Sequence, residues 1–260
     1  MMIPGKGDKL ATKARDDDSL VFIEKLGGVS MKTIGLIGGM SWQSSIEYYR
    51  IINELVAQRL GGQHSCECVM VSLDLDPILI LRDAGEWSQL AKMMAAAIRR
   101  AEIAGADFTL ICSNTMHNQI ETIEDQLTKP ILHIADVTAE AALKRGFKRL
   151  GLLGTRFTLE RDFYRGRLEK KYGLQVLVPE EDDIAFVHHV IYEELDFAIF
   201  KPESKQRYLQ IIKRLAAQGA EGVILGCTEI PLLVRQEDTT VPLLDTTMLH
   251  AKAAVNFALA

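Results

Sequence analysis

The chain has 260 residues, 48% of them hydrophobic and 25% charged, and a formal net charge of −5. That is enough chain for one large core or two smaller ones in a soluble globular protein. The acidic balance argues against nucleic acid or an anionic membrane as a partner, and no apolar run is long enough to span a bilayer. Four cysteines, without an apolar leader at the N-terminus, point to free thiols in a reducing cytoplasm.

Residues 1–30 carry the charge runs K-G-D-K and R-D-D-D and little apolar sequence. This segment is expected to be a disordered extension or a start-site artefact, with Met31 as the native start. Residues 32–37, K-T-I-G-L-I, then form a buried strand that ends in the turn Gly38-Gly39. Ser41 is placed to N-cap a helix in which Ile46, Tyr49, Ile52, Leu55 and Val56 recur at helical spacing, and Gly61-Gly62 stops it. A strand at 68–73 is followed by a polar stretch containing Arg82. A helix over 87–104 leads to a strand at 108–112. Another strand is expected at 130–134 and a helix at 136–144.

The pattern then restarts. Residues 148–155, K-R-L-G-L-L-G-T, echo K-T-I-G-L-I-G-G at 32–39, and G-A-E-G-V-I-L-G-C-T-E-I at 219–230 echoes G-A-D-F-T-L-I-C-S-N-T-M-H at 105–117. Pro130 and Pro242 each open a short P-[IL]-L segment further on. The order and spacing of these landmarks predict a tandem α/β fold of two pseudo-symmetric domains, each a parallel sheet flanked by helices. The expected division is 31–130 plus 241–260 for the first domain and 131–240 for the second. Ligands of such sheets bind at the carboxyl ends of the strands. Ser113 lies eight residues after Gly105 and Cys227 eight after Gly219, so the two should meet in one cleft between the domains.

Cys227 stands at a strand end, in a turn that opens a helix. Turn amides and the helix dipole there would lower the thiol pKa, giving a base or nucleophile; the alternative is a buried structural cysteine. Cys112 precedes Ser113 and should face the packing on the other side of the strand. Asn114, Thr115, Thr228 and the turn amides are placed to grip a carboxylate, or to cap the helices that follow. His117, one turn beyond Ser113, could position Ser113 or tune its charge. The glycine loop would let Met40 and Ser41 approach a small ligand closely, and Arg82 is a cation for a ligand carboxylate or a solvated surface residue. His188-His189 reads as surface. Cys66-x-Cys68 lacks a second pair of metal ligands, and the glycine loop is neither G-x-G-x-x-G nor a P-loop.

With G-G-M-S-W at 38–42, C-S-N-T-M-H at 112–117, H-I-A-D at 133–136, D-F-Y-R-G-R-L at 162–168 and G-C-T-E-I at 226–230, the chain from Met31 onward resembles the aspartate/glutamate racemase family, in particular its broad-specificity amino-acid racemase branch. The resemblance implies an isomerase that interconverts L- and D-amino acids without pyridoxal phosphate or metal. One reactive side chain of each domain would stand on either side of the α-carbon. The family's second cysteine falls on Cys227 and its first on Ser113, with Asn114-Thr115 following. Its substrate contacts fall on Met40 and Arg82. A basic residue of aspartate-specific members falls on Asp196, which puts aspartate as the substrate in doubt. A hydroxyl is a poorer base than a thiol, so a slow or direction-biased racemase is expected, with His117 as the nearby activator of Ser113. The implied partner is a small amino acid, with a homodimer as an option. Alternatives are a related isomerase or hydantoin racemase using the same cleft, or an amino-acid binding module without catalysis.

Overall fold

The computed structural model describes residues 30–260; the expected extension therefore lies outside the described residues except for Ser30. In chain order the elements are β1 (Ile34–Gly38), α1 (Trp42–Leu60), β2 (Cys68–Ser72), α2 (Leu75–Asp83), α3 (Trp87–Ile103), β3 (Phe108–Ile111), α4 (Ile120–Ile123) and α5 (Ile134–Lys144). The second half comprises β4 (Arg149–Leu153), α6 (Arg156–Glu160), α7 (Asp162–Tyr172), β5 (Gln175–Leu177), α8 (Glu181–Glu193), α9 (Pro202–Ala217), β6 (Gly222–Leu225), α10 (Ile230–Leu233), β7 (Leu243–Asp245) and α11 (Thr246–Ala258). The strands form two parallel sheets, ordered β2-β1-β3 and β5-β4-β6-β7. Among the described residues, no helix is long and apolar enough to cross a membrane.

The sequence repeat is a repeat of hydrogen bonds. Gly105 and Gly219 follow α3 and α9 at φ 104° and 99°, a region that penalises any Cβ. Their amides reach back to Glu102 O and Ala216 O at 3.0 and 2.9 Å, satisfying carbonyls that a helix end leaves open. The acid two residues on has the same task in both halves. Thr33 N donates to Asp107 Oδ2 and Arg149 N to Glu221 Oε2, each at 2.8 Å. The strand register repeats too, with Ile34 beside Phe108 and Leu150 beside Gly222. Finally, Thr109 N donates to Pro130 O and Val223 N to Pro242 O, at 2.9 and 2.8 Å.

Here the halves diverge. The strand expected at 130–134 is a single bridge between Thr109 and Ile131, because Ile134 already starts α5 with His133 as its N-cap. Its counterpart β7 pairs with β6 over Leu243–Asp245. An expected boundary at 241 therefore cuts off a strand that belongs to the second sheet. The exchange between halves occurs one step later, in the helices. α5 packs Ile134, Ala135, Ala139 and Ala142 into the core of Leu150, Leu152, Tyr164 and Leu168. α11 returns to the first half, where Lys32 N donates to Ala258 O at 2.9 Å and Phe257 meets Phe108 at 4.7 Å between ring centroids.

Two local expectations change. In α1 the buried apolar side chains are Tyr48, Ile51, Ile52 and Val56, whereas Ile46 and Tyr49 are 53% and 49% exposed. The helix is turned by Tyr48, whose hydroxyl meets His250 Nδ1 of α11 at 2.8 Å. The stretch around Arg82 is helix α2, capped by Asp74. Pro77 sits in its first turn, where a missing N–H costs nothing.

Candidate active site

The glycine turn between β1 and α1 is built for close approach. Gly39 has φ 87°, and a Cβ there would lie 2.0 Å from Leu73 O. Its amide donates to Ser45 Oγ at 2.8 Å. This fixes Met40, buried against the first core, and Ser41 at the mouth of α1. Ser41 caps the helix through Ser44 N, as expected, and its own hydroxyl donates across to Glu229 Oε1 of the second half at 2.7 Å.

Glu229, two residues past Cys227, was not singled out from the sequence, yet it is the hub of the site. It is buried, and its Oε1 also accepts from Ser44 Oγ at 2.6 Å. Cys227 Sγ donates to Oε2 at 2.8 Å. Thr228 Oγ1 lies 3.1 Å from Oε2 and 2.6 Å from Ser44 Oγ. Charge-assisted bonds of this kind compensate the burial of a carboxylate. The expected lowering of the Cys227 thiol is reversed. Burial first, and then the carboxylates of Glu229 and Asp196, push it well above its ordinary value. The following helix α10 spans only Ile230–Leu233, so little dipole is available to oppose them. At rest Cys227 is a thiol whose proton already points at an acceptor.

The first-half turn is arranged differently. Ser113 is buried at the end of β3, and Cys112 before it is fully buried with its thiol pushed up by desolvation. Asn114 Nδ2 donates to Thr246 Oγ1 at 3.1 Å. Thr246 spends its own proton on Leu225 O at 2.8 Å, which fixes the orientation of the Asn114 amide. Asn114 Oδ1 is then a buried acceptor with no partner among the described residues. His117 does not activate the Ser113 hydroxyl. Its Nδ1 donates to the Ser113 backbone oxygen at 2.7 Å, and its Nε2 accepts from Ile134 N at 3.3 Å. Desolvation holds its pKa down to about 4, so it is a neutral anchor for the Ser113 backbone.

Met40, Arg82, Ser113, Asn114, Thr115, Cys227 and Thr228 all line one cleft, together with Tyr192, Asp196 and Glu229. His117 is packed behind it. Arg82 is buried rather than solvated. Its guanidinium lies over the rings of Phe157 and Tyr192 at 4.8 and 5.0 Å. Nε donates to Asp83 at 2.8 Å and Nη1 to the Tyr192 hydroxyl, while Nη2 has no hydrogen-bond partner among the described residues. Asp196, half-buried just after α8, is pushed up to about 7 by desolvation and by Glu229, against the pull of Arg82. His188 is not simply a surface residue: it is partly buried and accepts from Arg156 N at 3.3 Å.

Two pseudo-equivalent parallel sheets bring one thiol and one hydroxyl to a shared cleft, an arrangement that fits a racemase-type isomerase. The Asp/Glu/hydantoin racemase family matches residues 37–254, and the chain belongs to that family. A crystal structure of a candidate Asp/Glu racemase from Yersinia pestis is 46% identical, with a TM-score of 0.83 over 88% of this chain and 100% of that one. An aspartate racemase homologue from Pyrococcus horikoshii is 32% identical, with a TM-score of 0.78 over 88% of this chain and all of the other. The broad specificity amino-acid racemase RacX of Bacillus subtilis is 22% identical over 87% of this chain and 98% of its own length.

Proposed function

We propose that the protein interconverts L- and D-amino acids by moving a proton at the α-carbon, with Cys227 on one face and Ser113 on the other. The observation that carries this reading is the 2.8 Å contact from Cys227 Sγ to Glu229 Oε2. As a base, Cys227 must first lose its proton, and Glu229 is the group placed to take it. The thiolate then removes the α-proton, and Ser113 supplies one to the opposite face of the planar carbanion. Water then returns a proton to the Ser113 alkoxide while Glu229 releases the one it holds, which resets the site. In the other direction Ser113, after losing its proton to water, removes the α-proton, and Cys227 donates to the opposite face. The Arg82 guanidinium and the turn amides beside Asn114 and Thr228 are the donors for the substrate carboxylate. Asn114 Oδ1 is the acceptor for its α-ammonium.

This assignment refines the expectation of a directional bias. L- and D-enantiomers are equal in energy in solution, so kcat/KM must be the same in both directions. Unequal acid and base equipment can therefore show only as unequal kcat values matched by unequal KM values. The test is incubation in deuterated water with both enantiomers of the common amino acids, and with hydantoins and maleate, following α-deuterium by NMR and chirality by chiral chromatography. Deuterium at the α-carbon together with enantiomer interconversion is expected for amino acids. Absence of exchange on every one of them would refute the reading.

A further inference from the structure

We infer that Asp196 is the specificity-determining residue of this cleft, and that it selects amino acids whose side chain ends in a cation, an ammonium or a guanidinium group. The inference rests on the racemase reading above and names its substrate class.

The argument begins with what each charged group in the cleft is already doing. Glu229 is engaged by hydroxyl and thiol donors at both oxygens. Arg82 is held by Tyr192 and Asp83 and sandwiched by two rings, and it makes no ion pair with Asp196. Asp196 is fixed by its backbone, whose carbonyl accepts from Gln43 Nε2 of α1 at 2.7 Å. Its carboxylate lines the cleft and has no hydrogen bond or ion pair among the described residues. A half-buried carboxylate left without a donor is costly, and an open acceptor at a ligand-binding wall is the usual reason for tolerating one.

The α-groups of a substrate have other partners. Its carboxylate has Arg82 and the turn amides, and its ammonium has the orphaned oxygen of Asn114. That leaves Asp196 for the side chain. A side-chain carboxylate placed there would face Asp196 and Glu229 together, and it could bind only by driving Asp196, already pushed up to about 7, to take a proton. A side-chain cation would complete the Asp196 acceptor. It would also offset one of the two carboxylates that hold the Cys227 proton in place.

The experiment compares kcat/KM for lysine, arginine and ornithine, for alanine and methionine, and for aspartate and glutamate, in the wild type, Asp196→Asn and Asp196→Lys. The wild type should prefer the cationic class over the dicarboxylic class by at least tenfold. Asp196→Asn should lose at least tenfold more on cationic than on neutral substrates, and Asp196→Lys should invert the preference. An equal loss on all classes in Asp196→Asn would overturn the assignment, because Asp196 would then be serving the α-ammonium or the fold. Binding of lysine and of glutamate to Cys227→Ala, followed by calorimetry, separates this from failure of the racemase reading. Tighter lysine binding without turnover in the wild type would leave the specificity standing and refute racemisation. Equal or tighter glutamate binding would refute the specificity.

Discussion

Replacing Asp196 by Asn should stabilise the protein at neutral and alkaline pH. The carboxyl sits at about 7 in the folded chain against an ordinary 3.8. At about 1.4 kcal/mol per pH unit, that gap is worth about 4 kcal/mol once the group is fully ionised in both states. Its partial exposure to the cleft reduces the figure to about 2–4 kcal/mol. The sign follows from proton counts. Between pH 3.8 and 7 the folded state holds a proton that the unfolded state has released, so wild-type stability falls as pH rises through this window. Asn has no such proton. The difference between the two proteins should be near zero below pH 4, grow through pH 5 and 6, and level off above pH 7. For a domain of this size it corresponds to a rise in melting temperature of about 5–15 °C at pH 8. Urea unfolding followed by circular dichroism at pH 4, 6 and 8 measures it. Equal midpoints at pH 8, or a difference that persists undiminished at pH 4, would show that Asp196 is not desolvated as described.

Removing the reactive groups should have unequal effects. Cys227→Ala should lower α-deuterium exchange by at least about 1,000-fold, whereas Ser113→Cys should raise racemisation about tenfold or more, since a thiol is nearer the operating pH as a base; full activity in Cys227→Ala would end the mechanism. Glu229→Gln should lower kcat about 100- to 1,000-fold with little change in KM, the range for loss of a general base, and an unchanged kcat would show that the thiol loses its proton elsewhere. Three clustered histidines set acid stability: burial holds His117 at about 4 and His250 at about 3, and pushes His133 down as well. Below pH 6.5 the unfolded state takes up protons that the folded state refuses, so His117 and His250 should each cost about 2 kcal/mol by pH 5. A urea midpoint in Asp196→Asn that stays flat from pH 7 to 5 would contradict that.

What could be read from the sequence was what depends on neighbours in the chain. Gly105 and Gly219 mark helix ends, Asp107 and Glu221 tie the same backbone position in each sheet, and Ser41 caps α1. These bonds reuse one local pattern, so the repeat and the cleft it creates were legible. The features that went unread are long-range. Glu229 becomes the hub of the cleft only when Ser41 and Ser44 arrive from the first half of the chain to donate to its Oε1. The thiol of Cys227 rises first through burial and then through the carboxylates of Glu229 and Asp196, and neither the burial nor Asp196 is contained in a turn-level argument. Tyr48 displaces Tyr49 from the core because His250 is waiting for a hydroxyl. Helix α2, read from the sequence only as a polar stretch, carries Pro77 in its first turn, the one part of a helix that accepts it.

The two halves share a backbone plan but not a proton plan. Two residues past Cys227 stands Glu229, whereas two past Ser113 stands Thr115. Four past Ser113 stands His117, with both ring nitrogens bound to backbone, and the matching position in the second half is Pro231, which has no proton to offer. The first half even lends hydroxyls, Ser41 and Ser44, to the carboxylate that accepts from Cys227. So the carboxylate lies beside the thiol on one face, and the serine is on the other with an anchored backbone and, among the described residues, no hydrogen-bond acceptor for its hydroxyl. A hydroxyl so placed can give a proton to a carbanion far more readily than it can take one from a carbon acid. On the proposed reading both walls must still work in both directions, because the enantiomers are equal in energy, so the unequal side chains divide their effect between kcat and KM and leave kcat/KM the same.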